Sequence, residues 1–337
     1  MNLAQMTRFS GDNQGVADGR ALLTAFLDEP LIRNMEFSPD TSDYLQEALA
    51  ASADVAAITR AEGAALQRVN ITGSPTLGKL ALYGKEYSID DVKKFDGNIG
   101  ASPEFIRNRA LRNALKQIKK LREDFAKHRI QGVGNASPNT EMYGLATLIK
   151  DAETSAGQTA FGGYSVSDIH SMLTRVQIDL TTKIKILQLM ELLQREIALV
   201  PGANGLLMNT FLAGRILTGA RLLHVLGSAQ DSFNIPLNTV FGIPMIVGTT
   251  DMIPNTDVWS GHSLATSLYI VRNAELSGLD YPSNSGFAYS GFDDDDTPLG
   301  ISRIQVFTNT RLNDVNCVRR LSEIGLQALI DKDDPVE

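Results

Sequence analysis

The apolar positions change period along the chain. Between Pro103 and Ile130, Leu111, Leu115, Ile118, Leu121 and Phe125 recur every three or four residues, the stripe of one helix face. Ser102 can cap, Pro103 suits the first helical turn, Glu104 suits the positive helix end, and Gly132 and Gly134 stop the run. The pattern predicts a helix over 103–130, a rod of about 40 Å at ~1.5 Å per residue. A second helical period runs from Ser167 to about Val200, through Ile169, Leu173, Val176, Leu180, Ile184, Leu187, Met190, Leu193 and Ile197. It predicts one long helix or two joined helices, with Ser165 and Asp168 as a capping signature. Asn209–His224 reads as a further helix, the alanine-rich 44–66 as another, and Met142–Ile149 as a short one.

Strand patterns lie between these. Gly205–Met208, Thr239–Gly248 and Ser267–Arg272 are short apolar runs of the buried-strand kind, and Ile301–Leu312 alternates strictly. Leu66–Ile89 reads as a long hairpin, with extended segments around Arg68–Thr72 and Lys79–Ile89 and a Gly73-Ser74-Pro75-Thr76 turn. It has too few apolar residues to pack on both faces. Residues 1 to about 45 are polar, with short apolar patches at Ala21–Leu27 and Leu31–Met35, and are expected to form an arm without a core. Gly291–Gly300 reads as a loop. No repeat period appears. The expected class is α+β with mixed strand order.

Composition sharpens this. The chain has 337 residues, enough for about two domains at roughly 150 residues each. With 43% hydrophobic and 21% charged residues it can bury a core, which excludes wholesale disorder. Its net charge is -8, yet the 103–130 helix carries nine basic and three acidic residues, +6, leaving -14 elsewhere. Such a chain is a poor coat for nucleic acid over its whole surface, and its basic rod is expected to pair within the protein or with neighbouring copies. The one cysteine, Cys317, excludes an internal disulfide and a cysteine-built zinc cage, and suits a reducing compartment. No signal-peptide pattern opens the chain and no apolar run reaches membrane-spanning length, so a soluble intracellular protein is expected.

Candidate chemistry mostly fails on context. Gly73-Ser74-Pro75-Thr76-Leu77-Gly78-Lys79-Leu80 matches a phosphate loop up to its lysine but ends in Leu80, and its continuation looks extended rather than helical. His128, His170, His224 and His262 have no metal-ligand spacing. Cys317 reads as a buried inert thiol. Tyr289-Ser290-Gly291 lacks the first glycine of a nucleophile elbow, and Asp293–Asp296 lacks the spacing of a calcium loop. Asn70-Ile71-Thr72 and Asn135-Ala136-Ser137 match the glycosylation sequon and are expected to go unused without a secretory signal. No catalytic, cofactor-binding or metal-binding residue is expected, and no cofactor.

What remains is an arm, a projecting hairpin, a long rod and a mixed sheet, in that order. In this order the features resemble the major capsid proteins of tailed bacteriophages, the Hong Kong 97-type fold, from about residue 60 to 325. Tyr87-Ser88-Ile89-Asp90-Asp91-Val92-Lys93-Lys94-Phe95 looks like the link from that family's E-loop to its spine helix, residues 103–130 like the spine helix, and Gly132-Val133-Gly134 like the turn after it. Met142-Tyr143-Gly144-Leu145, Leu206-Leu207-Met208-Asn209, Phe241-Gly242-Ile243-Pro244-Met245-Ile246-Val247 and Thr266-Ser267-Leu268-Tyr269-Ile270-Val271-Arg272 are similar to successive family motifs. Ser302-Arg303-Ile304 through Arg320-Leu321-Ser322-Glu323-Ile324 resembles the closing strand. Two departures are Lys183–Ala198, which lengthens the helix before the Met-Asn strand, and Phe307, which alone represents the closing strand's aromatic.

The resemblance implies an N-terminal arm at 1–50, an E-loop region at 51–100, a peripheral domain with the spine helix at 101–164, an axial domain at 165–290, and a return to the peripheral domain with a C-terminal tail at 291–337. It implies a structural, non-catalytic protein of the virion, assembled in the host cytoplasm into pentamers and hexamers of an icosahedral shell. That shell would enclose double-stranded DNA without sequence-specific binding and without a membrane. A separate scaffolding protein, a portal and decoration proteins are the implied partners. Lys79, Lys85, Glu86, Arg107, Arg112, Lys119 and Arg122 are the candidates for inter-subunit contact. The alternatives are an encapsulin-type shell around protein cargo, a tail or neck protein that forms rings or tubes, and a soluble enzyme with an unrecognised site.

Overall fold

The computed structural model describes residues 3–10, 13–39, 43–46, 76–90, 103–134, 141–149, 166–231, 235–257, 259, 264–275, 277–284, 286–290 and 299–327. The expected rod is present as a helix over Pro103–Gln131. To number the helices in chain order, it is α3, after α1 (Asn13–Phe26) and α2 (Pro30–Arg33). Its inner face buries Ala114, Ile118, Leu121, Phe125, Ala126 and Ile130.

The N-terminal segment departs from expectation. It shares the core instead of trailing as an arm. Leu22, Leu23 and Phe26 fall on one face of α1 and are buried, as are Leu31 and Ile32 of α2. The Phe26 ring meets Phe125 of α3 edge-on at 5.3 Å between centroids and Phe287 at 5.6 Å. The apolar patches are too short to make a core among themselves, but each fits one helical turn and is completed by the surface of α3.

Strands β1 (Arg8–Ser10), β13 (Phe287–Ser290), β14 (Leu299–Thr308) and β5 (Ala81–Asp90) form a four-stranded sheet in that order. Here β5, the second limb of the expected hairpin, pairs antiparallel with β14 from Ala81 against Thr308 to Asp90 against Leu299. Of the first limb, Arg68–Thr72 lies outside the described residues. Instead β4 (Thr76–Lys79) pairs antiparallel with β3 (Asp43–Gln46). The start of the predicted 44–66 helix is therefore strand, and the rest of it lies outside the described residues. The strand expected over 301–312 is broken after Thr308, because Asn309 Oδ1 accepts the Thr310 and Tyr143 amides and Thr310 Oγ1 donates to the Tyr143 carbonyl. Those bonds replace the ladder, and β15 (Arg311–Leu312) starts a three-stranded sheet with β12 (Leu279–Ser283) and β2 (Phe37–Pro39).

The predicted helix over 167–200 is three elements. A short helix closes after Ser171, a strand, β6, covers Leu173–Asp179, and a helix covers Lys183–Ala198. Thr174, Val176 and Ile178 are partly covered while Arg175 and Gln177 are exposed, a period of two. Val176 and Leu180, four residues apart, fit both periods, and the β-branched Thr174, Val176 and Ile178 tip the balance toward strand. Leu145–Leu148 is α4 and Val166–Ser171 is α5, so Lys183–Ala198 is α6 and Thr210–Leu222 is α7. Asn209 caps α7, its Oδ1 accepting the Leu212 amide at 3.0 Å, while its Nδ2 donates to the Ile253 carbonyl and Thr266 Oγ1.

A seven-stranded sheet runs β6, β16 (Val318–Gly325), β11 (Ala265–Val271), β7 (Gly205–Asn209), β10 (Ile243–Gly248), β9 (Pro236–Val240) and β8 (Leu226–Gln230). The run Thr239–Gly248, read as one strand, is a hairpin. Phe241 (φ 51°) and Gly242 (φ 79°) both take left-handed conformations, the tight turn whose twist matches two antiparallel strands. Leu189, Met190, Leu193, Leu212, Ala213 and Ile216 of α6 and α7 cover the sheet in a second core. The pairings cut across the expected domain borders. β16, from the tail segment, lies inside this sheet, while β12 and β13 belong with the α3 core.

Candidate subunit-contact surfaces

Three surfaces of the described chain are available for contact, and a frame of buried polar residues holds them in place. The outer face of α3 is cationic. Arg112, Lys116, Lys119, Lys120 and Lys127 are exposed, beside Asn113 and Gln117. β3 and β4 form a two-stranded sheet of their own. The helices over the large sheet also expose single apolar residues, Phe211 on α7 at 64%, Ile184 on α6 at 67%, and Leu222 and Leu223 at the end of α7.

The predicted contact residues divide among these places. Lys79 ends β4 opposite Asp43, and Lys85 and Glu86 sit on β5 opposite Ile304 and Arg303. The side chains of these three and of Arg107 lie outside the described atoms. Arg112 and Lys119 share the exposed face of α3. Arg122 is engaged within the chain, its Nη1 donating to Asp28 Oδ2 at 2.8 Å and to the Ala25 carbonyl at 3.0 Å. It links α1 to α3 within the chain. Lys116 and Phe211, also exposed, are not among the predicted residues. For Phe211 a signal exists: Leu212, Ala213 and Ile216 are the buried stripe of α7, which turns position 211 outward.

Arginines, two of them buried, build the frame. Arg129 of α3 is fully buried, and its guanidinium donates to Tyr281 Oη at 2.8 Å, to Asn34 Oδ1 and to the Leu31 carbonyl. It ties the spine to α2 and β12. Arg311 grips Asp280 with two parallel bonds, Nε to Oδ1 at 2.9 Å and Nη2 to Oδ2 at 2.7 Å, and reaches Ser38 Oγ at 2.9 Å. Arg320 joins Asp257 (2.9 Å), Ser267 (2.8 Å) and the Ile149 carbonyl (3.1 Å). Buried Glu196 takes Arg319 and Arg195, each at 3.0 Å. Such forked pairs fix orientation as well as energy.

At the root of β5, Tyr83 Oη accepts the Met142 amide at 2.8 Å and lies 3.1 Å from His128 Nδ1. His128 Nε2 in turn lies 3.6 Å from Glu141 Oε1. Burial pushes the Tyr83 phenol far above its ordinary range. This cluster locks β5, α3 and the following loop together. His170 and His224 are exposed, and His262 lies outside the described residues. Among the described residues no three His, Cys, Asp or Glu side chains gather as a metal site, and no helix is long and apolar enough to cross a membrane. Thr76–Lys79, the middle of the phosphate-loop look-alike, is strand. The turn at 73–75, the sequons and Asp293–Asp296 lie outside the described residues. A cleft of about 210 Å³ between α2 and the β9–β10 hairpin, crossed by an Arg33–Asp231 ion pair at 3.3 Å, is smaller than the ~300–1,000 Å³ of common small-molecule pockets.

The long spine packed under a strand pair and the covered mixed sheet are the Hong Kong 97-type shell fold. Solved structures bear this out. The SrpI encapsulin of Synechococcus elongatus matches with a TM-score of 0.56 at 12% identity over 90% of both chains. The capsid of cyanophage A-1(L) matches with a TM-score of 0.53 at 15% identity over 89% of this chain and 93% of that one. The capsid of a native GTA particle matches with a TM-score of 0.51 at 14% identity over 89% and 90%. No family model and no curated protein matches the chain. The neighbours are structural shell proteins, and the chain has the fold of a shell-forming protein.

Proposed function

We propose that the chain is the major capsid protein of a tailed double-stranded DNA bacteriophage, a structural protein that self-assembles into an icosahedral head. The observation that carries this is a fold shared over nine-tenths of the chain with a cyanophage capsid. The colinear motifs from Tyr87 to Ile324 support it. Shells sum many modest interfaces, and closed symmetry makes the whole stable. The β3–β4 ribbon and the exposed apolar residues of α6 and α7 are proposed as contact area within pentamers and hexamers. A separate scaffolding protein, a portal and decoration proteins are the proposed partners, with assembly in the host cytoplasm. A second reading, an encapsulin-type compartment, is favoured by the TM-score of 0.56 to the SrpI encapsulin.

The test is expression of the chain alone and with neighbouring scaffold candidates, followed by negative-stain electron microscopy. Closed shells of uniform diameter with packaged nucleic acid are expected. Shells filled with a cargo protein instead would select the encapsulin reading. Rings or tubes would select a tail or neck protein, and a monodisperse small oligomer under every condition would overturn both shell readings.

A further inference from the structure

We infer that the exposed face of α3 is a contact surface for a nucleic-acid backbone, with Arg112, Lys116 and Lys119 meeting phosphates without reading bases. The inference rests on the reading of the chain as a shell around nucleic acid, and it departs from the expectation that the basic rod pairs with protein.

The geometry comes first. The three cations follow the i, i+4, i+7 spacing of one helix face and span about 10 Å of helix axis at ~1.5 Å per residue. All three are exposed, and among the described residues none has a carboxylate within 4 Å. Lys120 shows the contrast, being held by Asp124 at 2.8 Å. Glu123 and Asp124 come one turn later and Lys127 after them, so the positive field is strongest at Arg112–Lys119. The chain's net charge of -8 does not cancel it at close range, since salt screens distant charge over ~8–10 Å.

The chemistry of the face then chooses the partner. Its other exposed residues on these turns are Asn113 and Gln117, and no large hydrophobic side chain is exposed among the described side chains of α3. Protein interfaces concentrate aromatic residues, methionine and arginine at their centres and are depleted of lysine. The exposed Phe211 of α7 fits that description, whereas the lysine-rich face of α3 does not. Lysine, arginine, asparagine and glutamine are the side chains that hold phosphate oxygens. The monodentate lysine ammonium suits attraction to a polyanion without a fixed register.

The experiment measures binding of a 30-base-pair DNA duplex to the full-length unassembled protein by fluorescence anisotropy, between 50 and 200 mM salt. Three phosphate contacts give a slope of about -2.7 in log affinity against log salt, a loss of about 40-fold over that range. K116Q/K119Q leaves one contact, with a loss of about 3.5-fold, while charge-preserving K116R/K119R keeps the wild-type slope. Shells of K116Q/K119Q are expected to form normally and to carry less nucleic acid by absorbance ratio. No duplex binding by wild type, or an unchanged slope in K116Q/K119Q, overturns the inference. So does a variant that binds duplex like wild type but no longer assembles, since the face would then belong to a protein neighbour. Wild-type binding with the expected slope but no shells under any condition would leave this surface standing and remove the shell reading instead.

Discussion

Replacing Asp280 by alanine tests the buried frame. Asp280 is fully buried on β12, and its carboxylate is gripped by both forks of Arg311, itself 8% exposed. The same guanidinium reaches Ser38, so one ion pair joins β15, β12 and β2, strands from opposite ends of the chain. D280A strands a buried cation. Removing one partner of a buried pair costs about 3–5 kcal/mol, much of it the penalty of the charge left behind. With ~2.1 cal/mol/K of unfolding entropy per residue, 337 residues give about 0.7 kcal/mol/K, so a 4 kcal/mol loss lowers Tm by about 6 °C. The assay is urea unfolding of the unassembled subunit by circular dichroism, with a thermal scan beside it. D280L/R311M, which removes both charges and fills the space, is expected to recover most of the loss. A D280A loss under about 1 kcal/mol would refute the reasoning. So would a double variant as unstable as D280A, since the cost would then lie in packing rather than in charge.

Further outcomes follow from other parts of the frame. Y83F leaves the buried Met142 amide without its acceptor and should destabilise by about 1–3 kcal/mol in the same urea assay. G242A puts a side chain at φ 79° in the β9–β10 turn and should cost about 1–2 kcal/mol, with no change in circular dichroism. Burial pushes the Cys317 thiol up to about 12, so the fold favours the neutral thiol. Iodoacetamide at pH 8 should label Cys317 only after denaturation. The stability this thiol contributes should be complete below the unfolded pKa of about 8.5 and decline as pH rises toward the folded value. N209A removes the α7 cap and the bonds to Ile253 and Thr266, and should cost about 2 kcal/mol or more, read as a lowered urea midpoint.

Some of this protein is written locally and some is not. The spine helix, the helix from Asn209 and the buried strands at Gly205 and Ala265 were legible because end signals and apolar period act within a few residues. The inert character of Cys317 was legible too. The strand β6 was not, because Val176 and Leu180 satisfy both periods and only pairing with β16 decides between them. Nor was the role of residues 13–39. Leu22, Phe26 and Leu31 carry little apolar surface by themselves, and α3 supplies what they pack against. Of the candidate contact residues, sequence placed Arg112, Lys119 and Arg122 on one basic rod. The tertiary structure then separated them: Arg122 turns to Asp28 on α1, while Arg112 and Lys119 stay in solvent. Arg129, from the same rod, became the buried tie to Tyr281. Charge and period are properties of neighbours in the chain, so the sequence by itself determined the rod and its sign. Which cations are spent inside the fold depends on acceptors tens to hundreds of residues away, and only the tertiary structure decided that.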